Sequence, residues 1–390
     1  MENFYVDLHI HIGRTNSGKP VKITGAKSLT LENILLESTE KKGMDMIGVI
    51  DCHVPEVLDE LERLLSIGEI YQFEDGGLRF KDVTLILGSE LEIYDEHCHG
   101  PIHILGFLPT IEKMREFSTW LSTKMKNITL SSQRIYATGK DLQQKVKELD
   151  GLFIPAHVFT PFKSLYGKGV NASLSEVFDP DQIDAIELGL SANSEMADQI
   201  RELHSYEFVS NSDAHSLPKI AREYQIIRMA EPTFLELKKA LHRTDDRKVI
   251  ANYGLDPLLG KYHKTACEKC FTVPENINEK ECQNCGHTGF VKGVADRLQE
   301  LKSAEVPAQD RAPYIHQVPL EFIPGLGPKT LDKLRHYFKT EMAILHEVPE
   351  EALRSVLKPK VADAIISARN GSLTFHAGGA GKYGKVNPTK

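Results

Sequence analysis

The sequence predicts an α/β fold, a mostly parallel sheet or barrel wrapped by helices, followed by two smaller modules. Two observations carry that expectation. Over residues 1–245 short apolar runs alternate with amphipathic helical patterns, as successive βα units do. Past residue 262 the alternation stops, and two closely spaced cysteine pairs precede a helical segment punctuated by glycine turns.

Strands are expected at 5–10, 46–50, 84–87, 102–107, 152–155, 185–188 and 208–210, each apolar and flanked by turn formers. Helical patterns fill the intervals, as at 31–42 and 55–66, with Glu, Lys and Arg on the polar side. At 390 residues the chain suggests two or three domains. We read 1–245 as the α/β domain. Residues 246–292 form a linker, 246–262, and a cysteine module. Residues 293–390 form a helical domain, with a Gly/Lys-rich tail from Ala377.

Composition narrows the class. No run of about 20 apolar residues is present, and the first residues lack the basic-then-apolar pattern of a signal peptide. The expectation is a cytoplasmic, nucleoid-associated protein, a monomer. The net charge is −8, which argues against a chain coated in nucleic acid. From Glu321 onward, however, eleven Lys/Arg face seven Asp/Glu, a local basic module.

The residues that follow the apolar runs carry the chemistry. Asp7, His9 and His11 close the first run; His9 and His11 are two apart, so an extended chain points both to one face. Asp51, Cys52 and His53 follow the second, Glu90 and Glu92 the third. His97, His99 and His103 come next, then His157, then Asp213 and His215. Ends of strands in parallel α/β folds face a common crevice. Imidazole with carboxylate suits Zn, Mn or Fe. More ligands than one ion can use imply two or three divalent ions, zinc first, with manganese or magnesium as alternatives. Clustered cations of this kind match phosphate-ester hydrolysis. Cys52 and Cys98 are read as small space-filling residues beside the site.

The order HxH, DxH, GxE, HILG, PAH, DAH over residues 1–245 resembles the PHP (polymerase and histidinol phosphatase) superfamily. That resemblance implies a distorted seven-stranded β/α barrel with a two- or three-metal site. It implies His9, His11, His53, Glu90, His103, His157, Asp213 and His215 as metal ligands. Asp213 and His215 would be central to catalysis, with Asp51 as ligand or support. Many members carry an Asp or His a few residues past HxH. Here the stretch 13–19 has no carboxylate, and Arg14 and Lys19 are free to hold a phosphate instead.

Cys267, Cys270, Cys282 and Cys285 form two CxxC pairs eleven residues apart, the spacing of a Cys₄ structural zinc site. Residues 322–330 place Gly325, Gly327, Lys329 and Thr330 in a tight glycine turn between helices, similar to a helix–hairpin–helix DNA-binding motif. Its amides and Lys329 can hold phosphate without reading sequence. Residues 348–364 read as a degenerate second hairpin.

Taken together, the PHP domain, Cys₄ module, hairpin domain and GGxGKYG tail resemble the endonuclease Q family. The resemblance implies a DNA repair endonuclease acting on double-stranded DNA. It would cut 5′ of deaminated bases (uracil, hypoxanthine, xanthine) and abasic sites by multinuclear metal catalysis, leaving 3′-hydroxyl and 5′-phosphate ends. Phe159, Phe162, Tyr166 and Lys168, in the loop after His157, are the candidates for holding the lesion. A PHP-type exonuclease and a histidinol-phosphate-type phosphatase are the alternatives. The first would need a polymerase partner domain, and the second has no use for the C-terminal modules.

Overall fold

A computed structural model describes residues 1–260, 262–276 and 279–371, with the strands Phe375–His376 and Lys385–Val386 beyond them. The tail from Ala377, apart from that second strand, lies outside the described residues.

In chain order the strands are β1 (Glu2–Ile10), β2 (Met46–Val49), β3 (Tyr71–Gln72), β4 (Leu78–Phe80), β5 (Val83–Ile93), β6 (Ile102–Leu108) and β7 (Leu152–Pro155). They continue as β8 (Ala185–Glu187), β9 (Glu207–Val209), β10 (Tyr224–Met229), β11 (Lys248–Gly254), β12 (Ala266–Cys267), β13 (Phe290–Val291) and β14 (Tyr314–His316). The helices are α1 (Leu31–Leu36), α2 (Pro55–Ser66), α3 (Ile111–Ser122), α4 (Gly139–Glu148), α5 (Ser194–Ala197), α6 (Phe234–Leu241) and α7 (Val294–Leu301), then α8 (Pro328–Phe338), α9 (Glu341–His346), α10 (Glu350–Val356) and α11 (Pro359–Arg369). All seven strands expected from sequence are present.

The fold is mixed α/β, and the mostly parallel sheet is corrected. The main sheet runs β14-β11-β10-β1-β2-β5-β4-β3, with β6 and β7 continuing from β5. β1, β2 and β5 are parallel neighbours, but β10 lies antiparallel to β1, and β6 lies antiparallel to both β5 and β7. β8 and β9 form a parallel pair. Asp184 N donates to Phe153 O of β7, and Asn252 Nδ2 of β11 donates to Phe208 O of β9, so the sheet curls back on itself. Inside, Val6, Leu8, Ile86, Phe107, Ile154 and Ile227 form one cluster, which α6 enters with Phe234 and Leu237. Each such buried side chain contributes roughly 1.5–3 kcal/mol.

The linker expected at 246–262 is also corrected. Residues Lys248–Gly254 are β11, paired along its length with β10, and Val249 and Ala251 are buried. The helical segment at 31–42 is α1 widening into a π-helical stretch, Glu37–Lys42. Near the C-terminus the glycine turn does not join two full helices. A three-residue 3₁₀ turn, Leu320–Phe322, precedes it and α8 follows. The second hairpin, between α10 and α11, does have a helix on each side.

Candidate metal centre and nucleic-acid interface

β1, β5, β6 and the segments after β7 and β9 bring their chemistry to one end of the curled sheet. β6 runs antiparallel to β5, so its first residues return to the end where β5 finishes, and His103 pairs with Glu92 in register. There, ligand atoms of His9, His11 and Glu90 gather, as do those of His11, Asp213 and His215, and those of Glu90, His103 and His157; within each group all lie within 4.8 Å. The groups share His11 and Glu90. His9 Nε2 and His11 Nε2 each lie 3.5 Å from Asp213 Oδ1, and His157 Nε2 lies 3.3 Å from Glu90 Oε1.

The fit to metal is tested by hydrogen bonding. Nε2 of His9, His11 and His103 is buried with no hydrogen-bond partner, a costly state for a polar atom in a protein interior. Their other ring nitrogens are held: His9 Nδ1 by Glu187 at 2.9 Å, His11 Nδ1 by Asp51 at 3.1 Å, His103 Nδ1 by Glu90 at 2.9 Å. A carboxylate on one nitrogen with the other aimed into a shared space is how metal-ligating imidazoles are oriented. The donor set fits divalent metal. Electrostatics agree. Burial alone would lower the His9 pKa, but Glu187, Asp213 and Glu90 raise it to about 10, and the same field favours a bound cation. Burial would likewise raise Glu90, yet the His103 and Lys22 charges hold it well below the usual carboxylate range.

Two of these residues sit in strained backbone. His157 has φ 31° and Asp213 φ 45°, conformations that cost about 1–3 kcal/mol and persist only where surroundings impose them. Glu187 Oε2 accepts the His157 amide at 2.7 Å, and Arg222 Nε and Nη2 donate to the carbonyls of Ser212 and Asp213. Opposite His157, Gly189 has φ 77°, and a Cβ there would lie 2.8 Å from His157 Cβ.

The centre opens into a cleft of about 690 Å³ lined by Lys22, Lys163, Lys219, Arg222, Phe162 and Tyr262 among others. Phe162 and Tyr262 meet edge to face at 5.6 Å, and Lys168 Nζ stands 5.5 Å from the Phe162 ring centre. The wall behind them is clamped by α7. Arg297 donates to the carbonyls of Tyr166, Val170 and Asn171 at 2.7–3.0 Å.

Cys267 Sγ lies 3.6 Å from Cys285 Sγ, and Cys270 Sγ 3.4 Å from Cys282 Sγ. These separations are far beyond a disulfide's ~2.05 Å and suit four thiolates about 2.3 Å from one zinc. Hydrogen bonds from the Thr272 hydroxyl and amide lower the Cys270 thiol, while the neighbouring sulfurs hold Cys285 up. In the glycine turn Gly325 has φ 86°, Gly327 is the N-cap of α8, and Lys329 is exposed beside Thr330. Lys219 joins the turn to the cleft, pairing with Glu321 at 2.6 Å and lying over the Phe322 ring at 4.6 Å.

No family model matches the chain. It is 58% identical to the uncharacterized protein YqxK of Bacillus subtilis over 388 residues, spanning the whole of both chains. It is 38% identical over 253 residues to an uncharacterized protein of Methanocaldococcus jannaschii, covering 59% of this chain and 31% of that one. Among solved structures, the lesion-specific endonuclease PfuEndoQ of Pyrococcus furiosus matches all of this chain and 96% of its own, with TM-score 0.85 and 33% identity. The chain belongs to the endonuclease Q family. A second endonuclease Q structure, holding a 27-mer duplex substrate with an abasic lesion at its active site, matches with TM-score 0.84 and 32% identity, over 100% of this chain and 97% of that one. The protein is accordingly an enzyme, an endonuclease.

Against this endonuclease Q framework the sequence-predicted residues sort clearly. His9, His11, Glu90, His103, His157, Asp213 and His215 come together. His53 belongs to none of the three groups, although its Nε2 is likewise buried with no hydrogen-bond partner and its Nδ1 rests on the Ser89 hydroxyl at 3.1 Å. Asp51 accepts from His11 Nδ1 and from the Ile12 amide at 2.7 Å through Oδ2, while its Oδ1 is buried with no hydrogen-bond partner. Arg14 and Lys19 are displaced as phosphate holders, since neither lines the cleft and Lys19 pairs with Glu56 on the surface. Lys22 lines the cleft instead, with its Nζ 3.1 Å from Glu90. Phe159 and Tyr166 are corrected too: both are buried and stack on each other at 5.5 Å, with Tyr166 bonded to Glu202. Only Phe162 of the loop's aromatics reaches the cleft. His97 and His99 lie exposed, and Cys52 fills core space with its thiol on Val49 O. Sequence reading missed Glu187, Lys22, Tyr262 and Arg297. None sits in a motif, and Arg297 is more than 120 residues from the loop it holds.

Proposed function

We propose that this enzyme repairs DNA, hydrolysing the phosphodiester 5′ of deaminated bases (uracil, hypoxanthine, xanthine) and abasic sites in duplex DNA. The observation that carries the reading is the trio of ligand groups with their unpartnered imidazole nitrogens at the floor of a cleft. Whole-length similarity to an endonuclease Q bound to abasic duplex supports the choice of substrate.

His9, His11, Glu90, His103, His157, Asp213 and His215 would hold two or three divalent ions, zinc with manganese or magnesium as alternatives. Bound ions of this kind make a hydroxide near neutral pH and stabilise the leaving oxygen. The chain's own residues do the rest. Lys22, Lys163 and Lys219 place positive charge around the phosphate. Glu187 and Asp51 fix His9 and His11 in one tautomer. The metal centre lies at the floor of a cleft, so the damaged nucleotide would leave the helix to bring its phosphate in. That costs a few kcal/mol and less at a damaged or mispaired site, which itself selects lesions. Phe162 and Tyr262 would flank the extruded nucleotide. The turn at Gly325, Gly327, Lys329 and Thr330 would grip the duplex backbone as a helix–hairpin–helix does, and Cys267, Cys270, Cys282 and Cys285 would bind one structural zinc. In this reading 1–245, extended by β11, is the catalytic domain, and 293–390 the DNA-holding one.

The test is a duplex carrying one uracil, hypoxanthine or abasic site, incubated with metal. A single nick 5′ of the lesion with 3′-hydroxyl and 5′-phosphate ends is expected. Degradation from the ends, or phosphate release from histidinol phosphate alone, would replace this reading with one of its rivals.

A further inference from the structure

The loop between α3 and α4 has two faces, and only one belongs to the metal centre. Ser131 Oγ lies 3.2 Å from His11 Nδ1, and Ser132 Oγ bonds Glu90. A short pairing holds the next residues: Met125 bridges Ile135, and the Tyr136 amide donates to Lys124 O. Met125 and Ile135 are buried at 8% and 1%. Side chains alternate along an extended chain, so Lys124, Lys126, Arg134 and Tyr136 are sent toward the surface. A second bridge, Glu92 with Arg134, sets this edge beside the end of β5, where Tyr94 emerges.

The result is a row of alternating rings and cations. The Arg134 guanidinium lies 4.9 Å from the Tyr94 ring centre and 5.4 Å from that of Tyr136, and Lys126 Nζ lies 5.8 Å from Tyr136. The Arg134 fork is fixed by its bond to Tyr94 O. Tyr94 and Tyr136 remain 40% and 52% exposed. Rings this open bury too little apolar area to account for the row as core packing. Exposed rings interleaved with cations are the surface that single-stranded nucleic acid uses, bases on rings and phosphates on charges.

We infer that Tyr94, Arg134 and Tyr136 form a platform on which an unpaired or unstacked base of the substrate rests, outside the cleft that takes the lesion. The inference rests on the proposed action on DNA. Arg134 lies two residues past Ser132, and Tyr94 four past Glu90, or about 7 and 13 Å along an extended chain. At about 3.4 Å per nucleotide, the base held there is roughly two to four nucleotides from the phosphate at the metal centre. Opening the duplex at a lesion frees neighbouring bases, and the platform holds one of them away from its partner.

The experiment uses the full chain and an abasic duplex with 2-aminopurine placed in turn at each of the four positions on either side of the lesion. Binding is read by anisotropy and stacking by fluorescence, both without requiring a cut. Wild type should change the fluorescence at one or two positions two to four nucleotides away. Tyr94→Ala with Tyr136→Ala should remove that change and raise the Kd or KM by roughly five- to a hundredfold, the range that ring stacking covers. The single-turnover rate at saturating DNA should stay within about threefold. Tyr94→Phe with Tyr136→Phe, which keeps both rings, should behave as wild type. Unchanged affinity in the alanine protein, or equal damage in the phenylalanine protein, overturns the platform. Failure of wild type to nick any lesion overturns the proposed function instead, and leaves the fluorescence result to decide the platform on its own.

Discussion

Glu187→Gln isolates the support of the metal centre from the centre itself. Glu187 is 2% exposed and touches three site elements: its oxygens lie 2.9 and 3.2 Å from His9 Nδ1, accept the His157 amide at 2.7 Å, and accept Asn211 Nδ2 at 2.8 Å. Glutamine keeps the volume and leaves one acceptor. It removes the charge and turns an NH₂ toward either His9 or the His157 amide, each of which needs an acceptor. Loss of such a supporting carboxylate typically costs 10–100-fold in metal affinity, or about 1.4–2.7 kcal/mol. The assay strips the protein with chelator, adds back Zn or Mn in steps, and follows bound metal and nicking together. Half-saturation should move 10–100-fold to higher metal, while the rate at saturating metal recovers to within about tenfold. Asp51→Asn, which stands to His11 as Glu187 does to His9, should behave alike. Unchanged half-saturation, or a rate that no metal concentration restores, would refute the supporting role.

Asp213→Asn should abolish cleavage, at least a thousandfold, while lesion binding by anisotropy stays near wild type; retained nicking sinks its place among the ligands. Cys267→Ser with Cys270→Ser should release one zinc per chain and lower the melting temperature; unchanged zinc content refutes the Cys₄ site. Arg297→Gln should raise KM for lesion duplex about tenfold with site metal content unchanged, because the wall carrying Phe162 loses three carbonyl contacts; an equal fall in metal content would assign it a purely structural role. Lys329→Glu should weaken binding to every duplex alike and flatten its salt dependence by one or two phosphate contacts; an effect confined to one lesion contradicts a backbone contact.

What could be read from sequence follows from what periodicity encodes. His9 and His11 declare themselves because two-residue spacing on a strand is a geometric statement; Asp213 with His215 repeats the spacing but lies past the end of β9. Strand direction is not encoded in an apolar run. One clue was present: only eight residues separate β5 from β6, too few for a parallel crossover of a dozen or more. β11 was lost because its apolar run, Val249 to Ala251, is only three residues long, with Lys248 before it and Asn and Gly near its end, which reads equally as connector. Glu187 ends a strand as an isolated carboxylate, and only the folded structure shows that His9 needs it. Aromatic content after His157 gave three ring candidates, yet burial claims Phe159 and Tyr166 for the core and leaves Phe162 to the cleft. A lone ring in sequence carries no sign of which side of a loop it faces.

The join between the catalytic and helical regions bears on where the enzyme cuts. Lys42 and Glu341 form an ion pair at 2.9 Å, with both side chains under 10% exposed. Tyr224 of β10 bonds both Gln317 and His346, and Tyr5 of β1 stacks on the His346 ring at 5.0 Å. Burial lowers His346 to about 4, so the imidazole is neutral at physiological pH and the contact is not a pH-sensitive one there. Lys219, at the cleft rim, pairs with Glu321 just ahead of the glycine turn. Each contact is buried or multiply held, so turn and cleft keep one spacing. Under the proposed function, a duplex gripped by its phosphates at the turn would then meet the metal centre at a fixed distance along the strand. Phosphate contacts carry no sequence information, so in that reading choice of substrate would fall to the ease with which a nucleotide leaves the stack, while the position of the cut would fall to the scaffold.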